Sequence, residues 1–345
     1  MRRAMADVSP CRQSVCRQTL TRGHPVHGIL TAVGQFAIEV SGLTKTFGGT
    51  TSALRGVSFS VPAGTVCALL GHNGAGKTTT INILSTLIRP SSGRALVAGY
   101  DVVRQPAQVR ASIGMTGQIP ALDQMLTGRE HVVLFGRLRG LRRHQAKARA
   151  DELIEQFGLV AAADRRVSTY SGGMRRRVDL AGALVVPQKV LFLDEPTIGL
   201  DPRSRRDVWT LVSSLAQQGV TVLLTTQYLE EADVLSDSIV LIDHGQVIAS
   251  GTADDLKRSV GPSYCHVTPA NPAHLSRVAA AVAGLDGIAI DADTASVSVL
   301  ARDGVATLGE VFRRVDALGI ELADISLRKP SLDEAFLHLT AETVT

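Results

Sequence analysis

The sequence predicts an α/β fold, and three observations support that prediction. The apolar run Val66–Leu70 leads directly into a glycine-rich stretch at 71–78, and apolar residues at helical spacing follow it. Apolar runs of strand length recur at Val190–Asp194 and Thr221–Thr226. Between these strands, residues 100–170 show mostly helical patterns. The chain is therefore expected to hold a sheet core into which a helical segment is inserted.

The glycine-rich stretch GHNGAGKT fits G-x-x-x-x-G-K-[ST], the phosphate-binding pattern called a P-loop. Its glycines let backbone N–H groups turn toward phosphate oxygens, and the N-terminus of the next helix adds positive potential. Lys77 is expected to contact the β- and γ-phosphates of ATP, and the Thr78 hydroxyl to ligate Mg²⁺. The predicted nucleotide-binding residues here are Gly71, His72, Asn73, Gly74, Ala75, Gly76, Lys77, Thr78 and Thr79. The alternative is a glycine-rich turn beside a core lysine, which the flanking strand and helix argue against.

The strand at 190–194 ends in two carboxylates, Asp194 and Glu195. In a P-loop protein, a strand that enters such a pair is the Walker B pattern. We expect Asp194 to hold Mg²⁺, directly or through water, and Glu195 to orient and deprotonate the attacking water. The alternative, an exposed acidic turn after a strand, is weakened by the P-loop upstream.

Composition narrows the class of protein. The chain has 345 residues, 45% of them apolar, which is enough for one large domain or two, and its net charge is +4. Basic residues concentrate near the N-terminus and at 137–149, where a solvated surface is the usual explanation, so no nucleic-acid partner is expected. Four irregularly spaced cysteines favour a reducing cytosol. No apolar run approaches the roughly 20 residues that span a bilayer, so any membrane role should come through a partner.

Three parts are predicted along the chain. Residues 1–34 lack periodicity and are interpreted as a disordered extension or an over-called start site. Residues 35–260 contain the nucleotide motifs. Residues 261–345 alternate strands and helices as a small α+β domain, with a ferredoxin-like arrangement as the candidate. The last helix has one apolar face, interpreted as core with an interface as the alternative: Leu332, Ala335, Phe336 and Leu339.

A further motif narrows the family. Ser171, Gly172 and Gly173 stand at a predicted helix start, shortly before the Walker B strand. This arrangement resembles the signature motif of ATP-binding cassette (ABC) ATPases. The resemblance implies a RecA-like sheet core, an antiparallel β subdomain and a helical subdomain.

Three other positions line up with the same family. Phe47 stands where an aromatic ring stacks on adenine, Gln118 resembles the Q-loop glutamine that reaches Mg²⁺ and senses the transporter, and Asp201 resembles the D-loop aspartate. In ABC ATPases the signature motif of one subunit closes on ATP held by the P-loop of another. Because this sequence has one P-loop, the resemblance implies a head-to-tail homodimer.

Two stretches resemble a narrower group, the daunorubicin/doxorubicin-resistance type of ABC exporter ATPase. They are YSGGMRRR at 170–177 and LDEAFL at 332–337, together with the C-terminal extension. In that type the ATPase pairs with a separate membrane permease. The resemblance thus implies an integral-membrane ABC-2 type permease as partner, and a location at the cytoplasmic face of the plasma membrane.

The sequence departs from the family pattern at Gln227, where most ABC ATPases have a switch histidine. A glutamine amide can donate a hydrogen bond to the γ-phosphate, but it cannot carry a proton. Slower or differently regulated hydrolysis is therefore an open alternative. His72 is also unusual for a P-loop, and its side chain is expected to point away from the phosphates.

The predicted function is ATP hydrolysis that drives export of a hydrophobic small molecule, an antibiotic or drug, through the permease. An ATPase of a lipid or glycolipid exporter is the alternative with the same chemistry. A non-transport ABC ATPase acting on ribosomes or DNA usually has two cassettes or a long coiled-coil insertion, and neither is visible here. A nucleotide-gated module without turnover is suggested by Gln227 and opposed by Glu195.

Overall fold

A computed structural model describes residues 36–341, which form three sheets with helices packed on them. The predicted N-terminal extension, residues 1–34, lies outside the described residues. Within the described part of the chain, no helix is both long enough and apolar enough to cross a bilayer.

The first sheet is antiparallel, and its strands run in the order β2-β1-β4-β5. Its members are β1 (Phe36–Phe47), β2 (Thr51–Pro62), β4 (Ser92–Val97) and β5 (Tyr100–Asp101). Alternate residues of β1 and β2 point into the core, where Ile38, Leu43 and Leu54 are fully buried. This sheet is the antiparallel β subdomain that the sequence predicts.

The central sheet has the order β10-β9-β3-β8-β7-β6. Its members are β3 (Val66–Leu70), β6 (Ile113–Thr116), β7 (Val190–Asp194), β8 (Thr221–Thr226), β9 (Ser238–Asp243) and β10 (Gln246–Gly251). All pairs from β9 to β6 are parallel, and β10 closes the edge as an antiparallel hairpin with β9. Every residue of β3, β7 and β8 is buried, as expected for parallel strands covered on both faces. The strand β8 lies between the P-loop strand and the Walker B strand.

Eight α-helices precede the third sheet in the described chain. They are α1 (Lys77–Leu84), α2 (Pro106–Ser112), α3 (Gly128–Leu138), α4 (Arg143–Gln156), α5 (Gly172–Ala183), α6 (Pro202–Gln217), α7 (Leu229–Leu235) and α8 (Ala253–Val260). The start of α3 is a capping box, as predicted: Thr127 Oγ1 accepts from Glu130 N at 3.2 Å, and Glu130 Oε2 accepts from Thr127 N at 2.9 Å. Helices α3, α4 and α5 pack together as the helical subdomain. Residues 100–170 are predicted to be mostly helical, and the structure adds two short strands there, β5 and β6, which pair with β4 and β7.

The third sheet is antiparallel and has the order β12-β13-β11-β14. Its strands are β11 (Tyr264–Pro269), β12 (Ala289–Asp291), β13 (Ser296–Leu300) and β14 (Leu322–Arg328), and its helices are α9 (Leu275–Ala281) and α10 (Val305–Asp316). The chain order strand, helix, strand, strand, helix, strand with this sheet order is the ferredoxin-like arrangement. A separate apolar core fills it, centred on Val267, Val297 and Val311.

The last helix, α11 (Leu332–Ala341), packs against α8 rather than on the third sheet. Leu332 and Ala335 join the same buried cluster as Leu256 of α8, and Phe336 and Leu339 pack on its edge. The apolar face of α11 is therefore core, but it belongs to the core of the nucleotide-binding part. The division at residue 260 stays a prediction.

Candidate active site

The P-loop connects the carboxyl end of β3 to α1, at the edge of the parallel sheet where ligands of open α/β sheets bind. Gly76 has a φ of 109°, in the left-handed region. A Cβ there would lie 2.7 Å from Leu54 Cδ2 and 2.8 Å from the Ala53 carbonyl oxygen. The motif therefore needs glycine at this position both for its backbone angle and for close packing against β2.

Lys77 is buried at the first position of α1. Its Nζ donates to the carbonyl oxygens of Gly71 at 2.8 Å and His72 at 3.1 Å, and it lies 3.5 Å from Glu195 Oε1. Burial lowers the pKa of Lys77, while the Glu195 carboxylate opposes that shift. A buried ammonium group whose one carboxylate contact is this long is suited to receive an anionic ligand.

Asp194 is positioned by two hydroxyl groups. Thr78 Oγ1 donates to Asp194 Oδ1 at 3.2 Å, and Thr225 Oγ1 donates to the same oxygen at 2.6 Å. The second contact arises because β7 and β8 are parallel and pair Asp194 with Thr225. Hydroxyl and carboxylate oxygens are the donor types that Mg²⁺ prefers, so this cluster fits that ion. The sequence analysis missed Thr225, which only the strand register reveals.

Glu195 follows directly and has a φ of 47°, which is unusual for a residue with a side chain. Such a backbone angle costs about 1–3 kcal/mol and persists only where its surroundings enforce it. Here Glu195 N donates to Thr225 O at 3.2 Å and to Thr225 Oγ1 at 3.0 Å. Thr225 therefore holds the Asp194 carboxylate and the backbone of Glu195, and the Glu195 side chain lies beside Lys77.

Gln227 and Glu195 lie close together, beside Glu231 of α7. Glu231 Oε1 accepts from Thr197 Oγ1 at 2.9 Å and from Trp209 Nε1 at 3.1 Å. Its Oε2 is buried, and burial raises the pKa of Glu231, while the hydroxyls of Thr226 and Thr197 oppose that shift. This carboxylate, also missed from sequence, joins the Walker B turn to the helix that follows Gln227.

The signature residues lie at the start of α5. Ser171 Oγ accepts from Met174 N at 3.3 Å as the helix cap. A Cβ on Gly173 would lie 2.4 Å from Ser204 Oγ, which itself donates to Asp201 Oδ2 at 2.6 Å. The signature and the D-loop aspartate are thus packed together. In the described chain, however, no hydrogen bond or ion pair joins the signature to the P-loop.

Two further predicted residues are exposed. Phe47 is the last residue of β1 and is 43% exposed. Lys45 Nζ lies 5.0 Å from the centroid of its ring. Gln118 is exposed just beyond β6, and the neighbouring Gly117 carbonyl accepts from Arg176 Nη1 of α5 at 2.6 Å. The side chain of His72 lies against Asp243 at the end of β9. Of the predicted residues, the structure therefore gathers the P-loop with the Walker B pair, and the signature with the D-loop.

Comparison with known proteins supports one class. The profile of the ABC transporter family matches residues 54–198. The chain is 53% identical over 311 residues to the doxorubicin resistance ATP-binding protein DrrA of Mycobacterium tuberculosis, covering 89% of this chain and 94% of that one. It is 47% identical over 309 residues to the daunorubicin/doxorubicin resistance ATP-binding protein DrrA of Streptomyces peucetius, with 88% and 92% covered. The solved structure of CbiO1 from Clostridium perfringens, part of the ABC transporter complex CbiONQ, matches with a TM-score of 0.61 and 28% identity, covering 66% and 93%.

The sheets, the P-loop and these matches define an ABC transporter ATP-binding protein, an ATPase that binds ATP. Within that class, the chain belongs to the family of doxorubicin and daunorubicin resistance ATP-binding proteins. The predicted fold class is confirmed.

Proposed function

We propose that this protein hydrolyses ATP at the junction of the P-loop and the Walker B turn. The observation that carries the proposal is the strained Glu195, held by Thr225 with its Oε1 3.5 Å from Lys77 Nζ. Lys77 and the P-loop amides bind the phosphates, and Glu195 takes the proton of the attacking water. Gln227, which lies close to Glu195, donates a hydrogen bond to the γ-phosphate but cannot relay a proton.

Mg²⁺ is the metal that this site would hold, through the Thr78 hydroxyl, the Asp194 carboxylate and the Gln118 side chain. The short contacts of Thr78 and Thr225 with Asp194 already gather the first two of these oxygen donors. When bound there, Mg²⁺ would neutralise charge that develops on the β- and γ-phosphates. Thr225 keeps the Asp194 carboxylate in place for that purpose.

A second copy of the chain completes the site in this proposal. The signature lies with the D-loop and away from hydrogen-bonding reach of its own P-loop. Ser171 and the N-terminus of the twelve-residue helix α5 form an anion-binding end that is free to close on a partner's ATP. A head-to-tail homodimer then contains two complete sites, each with Phe47 stacked on adenine.

We further propose that hydrolysis drives efflux of a hydrophobic drug through a separate ABC-2 type permease. This follows the identity to doxorubicin and daunorubicin resistance proteins over nearly their whole length. A groove of about 340 Å³ between the end of β6 and α3, lined by Met115, Phe135 and Arg139, is suited to a permease's cytoplasmic helix. The protein would then work at the cytoplasmic face of the plasma membrane.

The ferredoxin-like unit receives a supporting role in this proposal. No buried charged side chain is described between residues 264 and 328, and the nucleotide motifs all lie before residue 261. We assign residues 261–345 a regulatory or dimer-stabilising function, distinct from ATP binding by residues 35–260.

The test is co-expression with an ABC-2 permease and measurement of doxorubicin accumulation in cells. Glu195→Gln should keep ATP binding and lower ATP turnover about 10²–10⁴-fold, because the general base is lost. Lys77→Ala should lose ATP binding as well, and both variants should restore drug accumulation. Glu155→Gln, an exposed carboxamide exchange on α4, is the matched control and should behave as wild type.

Two results distinguish a failure of the proposed hydrolysis chemistry from a failure of the proposed drug export. Turnover that survives Glu195→Gln would contradict the assigned chemistry. Normal turnover in the wild type, with drug accumulation unaffected by either variant, would leave the ATPase intact and exclude doxorubicin as cargo.

A further inference from the structure

Three potential metal ligands meet on the far side of the P-loop from the Walker B pair: His72, Asp243 and His244. His72 is the second residue of the P-loop, Asp243 is the last residue of β9, and His244 lies in the turn between β9 and β10. One ligand atom from each lies within 4.8 Å of the others. The nucleotide chemistry proposed above uses neither Asp243 nor His244.

The hydrogen-bond pattern of His72 calls for a cation. Its Nδ1 lies 2.6 Å from the Asn73 carbonyl oxygen, and its Nε2 lies 2.5 Å from Asp243 Oδ1. Both of those oxygens are acceptors, whereas a neutral imidazole has only one N–H to donate. When Nδ1–H bonds the carbonyl, the lone pair of Nε2 faces the carboxylate oxygen. A positive charge between Nε2 and Oδ1, from a proton or a metal ion, removes that repulsion.

We propose that His72, Asp243 and His244 form a binding site for a divalent late transition-metal ion, with Zn²⁺ as the best match. Two imidazole nitrogens and one carboxylate, with a position left for water, form a ligand set typical of Zn²⁺ and foreign to Mg²⁺ or Ca²⁺. The bond from His72 Nδ1–H to a backbone carbonyl is the outer-shell contact that orients a metal-binding histidine.

The geometry needs only side-chain adjustment to hold the ion. A tetrahedral ion with bonds of about 2.0–2.2 Å keeps its ligand atoms roughly 3.3–3.6 Å apart. His72 Nε2 lies 2.5 Å from Asp243 Oδ1 and must move away from it. His244 Nε2 lies 4.0 Å from Asp243 Oδ2 and must move closer to the carboxylate. The two histidine side chains are 43% and 68% exposed, so solvent leaves room for these movements, whereas Asp243 is buried.

The backbone around the site is already tied together, which lowers the cost of binding. Gly245 N donates to Ala75 O at 3.0 Å, and Arg55 N donates to Gly245 O at 2.7 Å. The turn after β9 is thereby bonded to both the P-loop and β2. An ion bound here bridges the P-loop to this turn, and the His72 carbonyl accepts from Lys77 Nζ.

The experiment is calorimetric titration of the full-length, chelator-stripped protein with Zn²⁺ alone. Nucleotide is left out because ATP itself binds Zn²⁺. His244→Asn is the main variant, since asparagine tolerates the φ of 44° at this position. We expect this variant and Asp243→Asn to bind Zn²⁺ at least about ten-fold more weakly at one site. Thermal unfolding of each variant checks that it is folded, and His244→Asn keeps the test valid if Asp243→Asn is not.

Two controls account for other histidines. His144→Asn removes an exposed histidine on α4, and the double change His24→Asn/His27→Asn removes two from the first 34 residues. Both should retain the wild-type site. The proposal is overturned if His244→Asn binds Zn²⁺ as tightly as wild type, or if wild type has no site that this substitution weakens, in which case a proton alone balances His72.

Discussion

The nucleotide-binding part and the ferredoxin-like unit both have apolar cores, but they differ in the number of charged side chains that they bury. Among the described residues, every buried charged side chain lies before residue 252, including Lys77, Asp194, Glu195 and Glu231. From residue 264 to 328 the only fully buried polar side chain is Ser296. Buried charge is costly unless it is paired, so a fold retains it where chemistry requires it. The difference between the two regions therefore locates the function.

The comparison can be sharpened first with a pair of hydroxyl deletions, for which we expect the largest effect. Thr225→Val removes the group that bonds Asp194 Oδ1 and Glu195 N, while Ser296→Ala removes a hydroxyl that bonds only Thr294. Leaving the Walker B contacts unsatisfied should slow ATP turnover roughly ten- to hundred-fold. Steady-state phosphate release from both purified variants measures the contrast, and Ser296→Ala should match wild type. Equal rates in the two variants would remove Thr225 from the site.

A cavity in the small unit should affect stability alone. Val267 is fully buried in β11, and Val267→Ala removes two methyl groups. We expect a loss of about 1.5–2 kcal/mol from the unfolding free energy of this unit, with basal ATP turnover unchanged. Urea unfolding measures the stability, and phosphate release from native protein of the same preparation measures the turnover. A matching fall in turnover would mean that the two regions are coupled more tightly than their separate cores suggest.

The smallest effect concerns pH and the buried pair Asp179 and Arg176 on α5. Burial raises the pKa of Asp179 to about 6, from 3.8, and Arg176 only partly opposes the shift. Because the folded state binds this proton more tightly, the contribution of Asp179 to stability is complete below about pH 4. It is lost as pH rises through about 6. The melting temperature of wild type relative to Asp179→Asn should therefore decline between these values, and a constant difference would contradict the assignment.

Local patterns in the sequence were sufficient for most of the fold. The P-loop with its strand and helix, the capping box at Thr127 and the strand at 221–226 each depend on neighbours within a few residues. The four-residue strand β6 was missed because it is too short to show alternation and lies among helices. Short-range signals therefore predict elements well when the elements are long or sharply bounded.

Contacts between distant elements were the part that sequence could not supply. Thr225 reaches Asp194 because β8 lies between β3 and β7 in the sheet. The order of strands in a sheet cannot be deduced from the residues of one segment. The contact of His72 with Asp243, 171 positions away, has the same origin. For α11, periodicity identified the buried face but not the surface that covers it.

The return of α11 to α8 makes the ferredoxin-like unit an insertion and not an appendage. The chain leaves the main body after residue 260 and is anchored to it again from Leu332 onward. A truncation at residue 263 would therefore also remove α11 from the larger core and expose Leu256 to water. Excising only residues 263–329, with a short linker before α11, would remove the ferredoxin-like unit and keep the core of the nucleotide-binding part intact.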